Sequence, residues 1–485
     1  MPLGRELKSV QTRVQPIAPP GNLSALRSAV GGLPHAVMLE SVAHSKTFGR
    51  FSVYAWSPAR VIVERPGERG DPFERLQSVC RPWLASNGDS ELPFVGGWIG
   101  YLAYESGRFV EPRAGRADAL RTSLPEWKWS LYDAALIYDR LRDQWFAVAV
   151  DLPAELCDGP RATGEDRLKE LIRVAESAGG APLRPLNPPR SAGRWSYSRE
   201  SYFEKVRQVL EYIRAGDIFQ VNLARAFEVE LNADPVDFYQ NLCEKNPAIY
   251  AAYLQVPETA NGEYCSAVVS SSPELFLSLR GRRVMTRPIK GTRPRGSTPE
   301  EDAAAVEELA ASEKDRAELN MIIDLERNDL GRVCEFGSVR VLEDGCVETH
   351  PTVFHRTASI TGQLRPGMDA IDLLRAAFPG GSITGAPKVR AMQIINELEP
   401  HARGPYCGAI GYIGLSGDMQ LNLAIRTMTV AEGRATLHVG SGIVSDSDPA
   451  EEFDELAAKA AGMLSALGID PREAMDEPKR KRISA

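Results

Sequence analysis

The sequence predicts an α+β fold built on antiparallel sheets, and three observations carry this. Strand-like and helix-like segments are mixed along the chain without strict strand–helix alternation, which argues against a doubly wound parallel sheet. No G-x-G-x-x-G turn follows a strand-like run, so nucleotide binding of the dinucleotide-fold kind has no support. Residues 404–429 alternate as two strands joined by a turn at Ser416-Gly417-Asp418.

Taken in order, residues 51–56, 97–104 and 145–150 are aromatic or β-branched and bounded by turn residues, as strands are. Residues 163–177 read as a helix. The one composition break is 178–194, whose Pro and Gly density marks a surface linker or crossover. Beyond it, 199–214 is helical, with apolar positions at Tyr202, Val206, Val209, Leu210 and Ile213. The stretch 299–330 is helix-rich and opens on the N-cap pattern Ser297-Thr298-Pro299-Glu300-Glu301. Residues 388–397 are helical, and 450–467 form a last amphipathic helix. The run Lys479-Arg480-Lys481-Arg482 reads as a frayed, solvated end. The organisation is therefore an N-terminal region at 1–178, a crossover at 179–195, a second region at 196–470 and a charged tail at 471–485.

At 485 residues, the chain allows two or three domains or one large intimate unit. Apolar content of 43% and charged content of 25% are those of a soluble globular protein. A formal net charge of −8 leaves no basic excess for phosphates, which argues against a nucleic-acid partner. No run approaches the roughly 18 apolar residues of a membrane span, and no secretory signal is visible, so a cytoplasmic location is expected. The seven cysteines are scattered singly with no C-x-x-C pair, which disfavours a disulfide framework or structural zinc.

Lys290 stands out among the titratable residues. It lies between an apolar residue and a glycine in Thr286-Arg287-Pro288-Ile289-Lys290-Gly291-Thr292-Arg293-Pro294-Arg295. If Arg287, Arg293 and Arg295 also lie near it in space, they disfavour a further positive charge, and a neutral amine is a nucleophile. From this segment alone, a solvated lysine on a basic loop is the plainer reading.

Two acidic pairs sit at i, i+3 on helices: Asp315 with Glu318, and Glu452 with Glu455, the latter followed by Lys459. Two such faces brought together would make an oxygen-rich site for Mg²⁺; apart, they are ordinary solvated helix faces. Three glycine-rich turns are suited to an anion: 380–388 ahead of a helix, Gly440-Ser441-Gly442, and Gly291-Thr292 beside Lys290. Arg426, ending an apolar strand that starts at Leu421, is a candidate carboxylate clamp. Glu274, at the mouth of the apolar run Leu275-Phe276-Leu277, is a candidate general acid or a plain turn residue. His355, between Phe354 and Arg356, reads as a buried structural histidine.

Together these runs resemble the chorismate-utilising enzymes. The likeness rests on 288–296, on 313–332 with Asp324-Leu325-Glu326-Arg327-Asn328-Asp329-Leu330, on 381–388, on Ala424-Ile425-Arg426-Thr427 and on 442–449. It covers roughly residues 195–465, and 38–41, 49–52 and 96–101 add the N-terminal half of the amide-nitrogen-using members. Anthranilate synthases carry alanine where Lys290 stands. Isochorismate and salicylate synthases activate water with a lysine where Gln220 stands. Both positions resemble the aminodeoxychorismate synthase component I branch.

The resemblance implies two packed antiparallel sheets flanked by helices, built jointly by both halves. It implies that Lys290 attacks carbon 2 of chorismate, that Glu274 protonates the departing 4-hydroxyl, and that His355 stands near the reacting oxygen. It places substrate contacts at Gly291, Thr292, Gly385, Tyr406, Arg426, Gly440, Gly442 and Lys459. It gives Mg²⁺ to Glu318 and Glu455, with Asp315 and Glu452 behind; Asp315 departs from members with glutamate there. It places a tryptophan site at Leu39, Glu40, Ser41, Arg50, Ile249, Tyr250 and Ala251, with Ile249 where the feedback-inhibited version has proline. Ammonia would come from a separate glutamine amidotransferase subunit, because no cysteine here sits on a tight glycine-rich turn, although Cys407 precedes a glycine. The product would feed p-aminobenzoate and folate synthesis. The alternatives are an anthranilate synthase component I and a non-catalytic amino-acid-binding subunit.

Overall fold

The computed structural model describes residues 11–43, 48–64, 70–80, 91–115, 124–179, 189, 193–231, 233–256, 266–350 and 353–475. Among these, the strands form one 12-stranded and one 10-stranded sheet, and every strand pair is antiparallel. Both sheets take strands from either side of the Pro/Gly-rich stretch. In the larger sheet, Val37–Glu40 pairs with Tyr250–Val256; in the smaller, Gly97–Leu102 pairs with Ala409–Gly414. No strand group from one half closes a sheet alone, so 1–178 and 196–470 are not separate domains. Most of the crossover lies outside the described residues, as do the first ten residues and the basic run 479–482.

Apolar residues of the sheets and of the flanking helices form one large core cluster and two smaller ones. The helices start where their caps dictate. Ser198 accepts from the backbone N–H of Ser201, Thr298 from that of Glu301 and Asp448 from that of Ala450. The stretch 299–330 is two helices, Pro299–Ala311 and Glu313–Gly331. Ser312 ends the first and caps the second.

One expectation is corrected and one is met with narrower bounds. Residues 471–475 are not tail: Pro471–Met475 is a short helix, fastened by the Trp195 indole N–H donating to the Ala474 carbonyl at 2.8 Å. The two strands within 404–429 are Ala409–Gly414 and Met419–Leu423, and both belong to the smaller sheet. Thr427–Ala431 is a further strand, and it joins the larger sheet. Arg426 therefore sits where the chain steps between sheets, in the left-handed region at φ 49°.

Candidate active site

Strand Arg434–Ile443 forms the floor of a cleft of about 580 Å³. Strand alternation sends His438, Gly440 and Gly442 to one face, and all three line the cleft. The glycines leave room for two side chains. A Cβ on Gly442 would lie 3.2 Å from Lys290 Nζ, and one on Gly440 would lie 2.8 Å from Tyr406 Oη.

Lys290 reaches this floor because its strand is irregular. Ile289–Pro294 pairs with Val353–Gln363, but the register slips between Ile289 and Thr292. The bulge frees Lys290 and Gly291 from the ladder and re-aims them. Gly291 has φ +82°, and a Cβ there would meet Asp315 Cγ at 2.8 Å, so the position needs glycine on both counts.

The three arginines near Lys290 in sequence each have a carboxylate partner, and Arg293 lines the same cleft as Lys290. Arg287 pairs with Glu348, Arg293 with Glu308 and Asp315, and Arg295 with Asp302. Each guanidinium is thus offset by its own carboxylate. Lys290 faces Glu318 instead, at 3.7 Å.

Glu274 occupies the turn between Ser266–Ser272 and Leu275–Arg280 and is 3% exposed. Burial pushes its carboxyl up to about 7, against the Ser382 hydroxyl, which donates to it at 2.7 Å, and the charge of Lys290. His355 Nδ1 and the Thr292 hydroxyl are hydrogen-bonded at 2.8 Å. Burial, reinforced by the charges of Arg426, His350 and Arg287, holds its imidazole well below the usual range and therefore neutral. Arg426 also lines the cleft, and among the described residues its guanidinium has no ion-pair or hydrogen-bond partner. A strained backbone presenting an unspent guanidinium is an arrangement suited to an incoming carboxylate.

The acidic pairs do meet. Asp315 and Glu318 on one helix and Glu452 and Glu455 on the other all line this cleft, with Lys459 beside them. Lysines stand among them: Lys314 lies 3.8 Å from Glu452, and Lys459 pairs with Glu455 while donating to the Gly440 carbonyl at 3.1 Å. Burial opposes ionisation of Glu455, but Lys459, Lys290 and Lys314 outweigh it and hold the carboxyl below its usual value. Burial pushes Glu452 up. Glu452 Oε1 accepts from Ser447 at 2.6 Å, while Oε2 is buried with no hydrogen-bond partner. Among the described residues no three acidic, histidine or cysteine side chains close into a ready coordination group. The carboxylate oxygens, with the orphaned Glu452 Oε2 among them, are of the hard donor type that magnesium takes.

Gly385 is a correction. It does not line the cleft; it pairs with Val221 behind it, where a Cβ would lie 2.1 Å from the Gln220 carbonyl. The N-terminus of helix Lys388–Leu398 is likewise turned to structural use. Lys388 pairs with Asp329 at 2.7 Å and donates to the Ala377 carbonyl. The run 380–388 gives the cleft Ser382 and Ile383 instead. Sequence reasoning also missed Lys314, Asn222 and His438. His438 was findable, standing two residues before Gly440 on the same strand face.

A second cavity of about 240 Å³ is lined by Leu39, Glu40, Arg50, Ile249, Tyr250 and Ala251 of the expected set, but not by Ser41. The Glu40 carboxylate is already taken by Arg27, Tyr54 and Tyr239. Arg50 forms a two-point pair with Asp139.

Both packed sheets and the cleft with its lysine, acid and four carboxylates define one class of protein. The chain belongs to the chorismate-binding enzyme family, whose model matches residues 35–465. Aminodeoxychorismate synthase component 1 of Klebsiella aerogenes is 40% identical over 453 residues, covering 91% of this chain and 95% of that protein. Anthranilate synthase component 1 of Thermus thermophilus is 38% identical over 450 residues, covering 90% and 92%. The crystal structure of anthranilate synthase component I from Streptococcus pneumoniae matches with a TM-score of 0.71 at 33% identity, over 87% of this chain and 93% of that one. No described helix is long and apolar enough to cross a membrane.

Proposed function

We propose that the chain is the aminating component of a two-component aminodeoxychorismate synthase, converting chorismate and ammonia to 4-amino-4-deoxychorismate. Similarity to relatives of both activities leaves the choice to the site. The observation that carries it is Lys290, bulged out of its strand onto the glycine floor at Gly442, in one cleft with Glu274.

The Lys290 amine, once deprotonated, attacks carbon 2. The two conjugated ring double bonds each shift by one position, and the 4-hydroxyl leaves with a proton from Glu274 as water. Ammonia then attacks carbon 4, both double bonds shift back, and the carbon–nitrogen bond to Lys290 breaks. The proton shed by the new amine returns to the carboxylate of Glu274. Two substitutions replace one hard one. Arg426 and Tyr406 take a substrate carboxylate, Thr292 holds the neutral His355 by the reacting oxygen, and Gly291, Gly440 and Lys459 shape the pocket. Glu318 and Glu455, with Glu452 and Asp315 behind, would hold magnesium, whose charge would offset that of the ring carboxylate. Asp315 is the weakest of these donors, because Arg293 already pairs with it.

Two expected results follow from these roles. Arg426→Lys should raise the KM for chorismate by about 30-fold, as loss of a charge-assisted hydrogen bond does, with a much smaller change in kcat. Glu318→Gln should raise the Mg²⁺ concentration for half-maximal rate by about tenfold or more. A magnesium titration of both proteins reads this directly.

Ammonia is supplied by a separate glutamine amidotransferase subunit. Cys407 is not a glutaminase nucleophile: burial pushes its thiol up to about 12. The purified chain should turn over with ammonium and not with glutamine; turnover on glutamine alone would contradict the two-component reading. A lyase would then make p-aminobenzoate, for folate synthesis. Tryptophan is the occupant proposed for the second cavity, where Asn422 Oδ1 is a buried acceptor without a partner.

A further inference from the structure

A chain of buried and half-buried charged and ring contacts runs between the second cavity and the cleft. Phe48 lines the second cavity, and the Arg287 guanidinium lies over its ring at 4.2 Å. Arg287 donates to the Thr357 hydroxyl at 2.9 Å and forms an ion pair with Glu348. The Glu348 carboxylate is 3.5 Å from His350 Nε2, and the His350 and His355 rings are 5.1 Å apart. His355 in turn holds Thr292, two residues from Lys290. The sheet reinforces this route, because Glu348 stands directly opposite His355 in register, and Thr292 opposite His355 on its other side.

Glu348 is the centre of the chain. Its strand, Arg340–Thr349, is mostly exposed, yet this carboxylate turns inward to two cationic or polar partners. Arg287 Nε, Glu348 Oε2 and His350 Nε2 are all buried without a hydrogen-bond partner. The group is therefore held by charge and packing more than by satisfied hydrogen bonds, and its geometry depends on the Glu348 charge. Burial opposes that charge, but His350 and Arg287 outweigh it and keep the carboxyl below its usual value.

We infer that Glu348 is a positioning residue for the reaction, fixing His355 through His350 and the Lys290 strand through Arg287, with its outer end resting on the wall of the second cavity. This rests on the amination reading above. Misplacement of reacting groups by even about 1 Å costs rate more than binding.

The test compares wild type, Glu348→Gln, Arg287→Gln and the double variant, with chorismate, Mg²⁺ and ammonium. Glu348→Gln keeps the shape and removes the charge. Its kcat should fall by about tenfold or more, with the KM for chorismate within about threefold of wild type and the melting midpoint nearly unchanged. The double variant should be scarcely worse than either single one, because both act on one route. Normal kcat in Glu348→Gln, or a loss matched by a fall in folded fraction, would overturn the inference. If Glu348→Gln does not fold, His350→Gln carries the same expectation, and normal kcat there overturns it equally. An inactive wild type would instead count against the amination reading.

Discussion

A Lys290→Ala variant is expected to lose amination by about 10⁴-fold, the scale on which removal of a covalent nucleophile acts. The fold should survive. Lys290 makes one longer ion pair, with Glu318 at 3.7 Å, and its place on the bulge is set by backbone pairing on either side. The loss should appear in kcat and not be rescued by more ammonium, because ammonia acts after the lysine. Wild type given chorismate without ammonium should accumulate an adduct on Lys290 with the mass of chorismate less one water. Peptide mapping by mass spectrometry reads both results, and adduct formation at any other residue would remove Lys290 from the role.

Glu274→Gln should separate activity from stability. The glutamine cannot give a proton to the departing hydroxyl, so turnover should fall by about 10²–10⁴-fold. Stability should move the other way. Burial raises the folded-state value of Glu274 from 4.5 to about 7. The neutral carboxyl is thus favoured in the folded protein, and its contribution is complete below pH 4.5. It is lost as pH rises through about 7, where the folded state is forced to bury a charge. Above neutrality the wild type carries a penalty on the order of 3 kcal/mol that the amide does not. Thermal melts at pH 5 and pH 8.5 should show similar midpoints at the first and a more stable Glu274→Gln at the second. An equal or lower midpoint for the variant at pH 8.5 would show that Glu274 is not buried against its charge. In the wild type, the alkaline limb of kcat/KM for chorismate should carry the Glu274 titration and disappear in the variant.

What was legible in the sequence was local or chemical. The helix from Pro299 announced itself by its cap pattern at Ser297-Thr298, the one from Arg199 by its apolar spacing, and the hairpin ending at Leu423 by its turn at Ser416-Gly417-Asp418. The pairs Asp315/Glu318 and Glu452/Glu455 declared one face each, but only tertiary packing brought the faces to one cleft. Partners far apart in the chain were not legible. Arg293 shares the cleft with Lys290, but its pairing with Glu308 and Asp315 could not be read from the sequence. Gly385 looked like an anion-binding glycine, yet its missing side chain serves close approach to the Gln220 backbone. Register was hidden as well. The bulge that exposes Lys290 and the cross-strand meeting of Glu348 with His355 depend on which strands pair, and no short pattern encodes that.

The most direct measurement is the identity of the product. The purified chain would be given chorismate, Mg²⁺ and ammonium at mildly alkaline pH, and the products resolved by mass spectrometry. The account predicts 4-amino-4-deoxychorismate with the enolpyruvyl group retained and no pyruvate released. Anthranilate with an equivalent of pyruvate would contradict it, and would make the lysine on the glycine floor compatible with the other branch of the family.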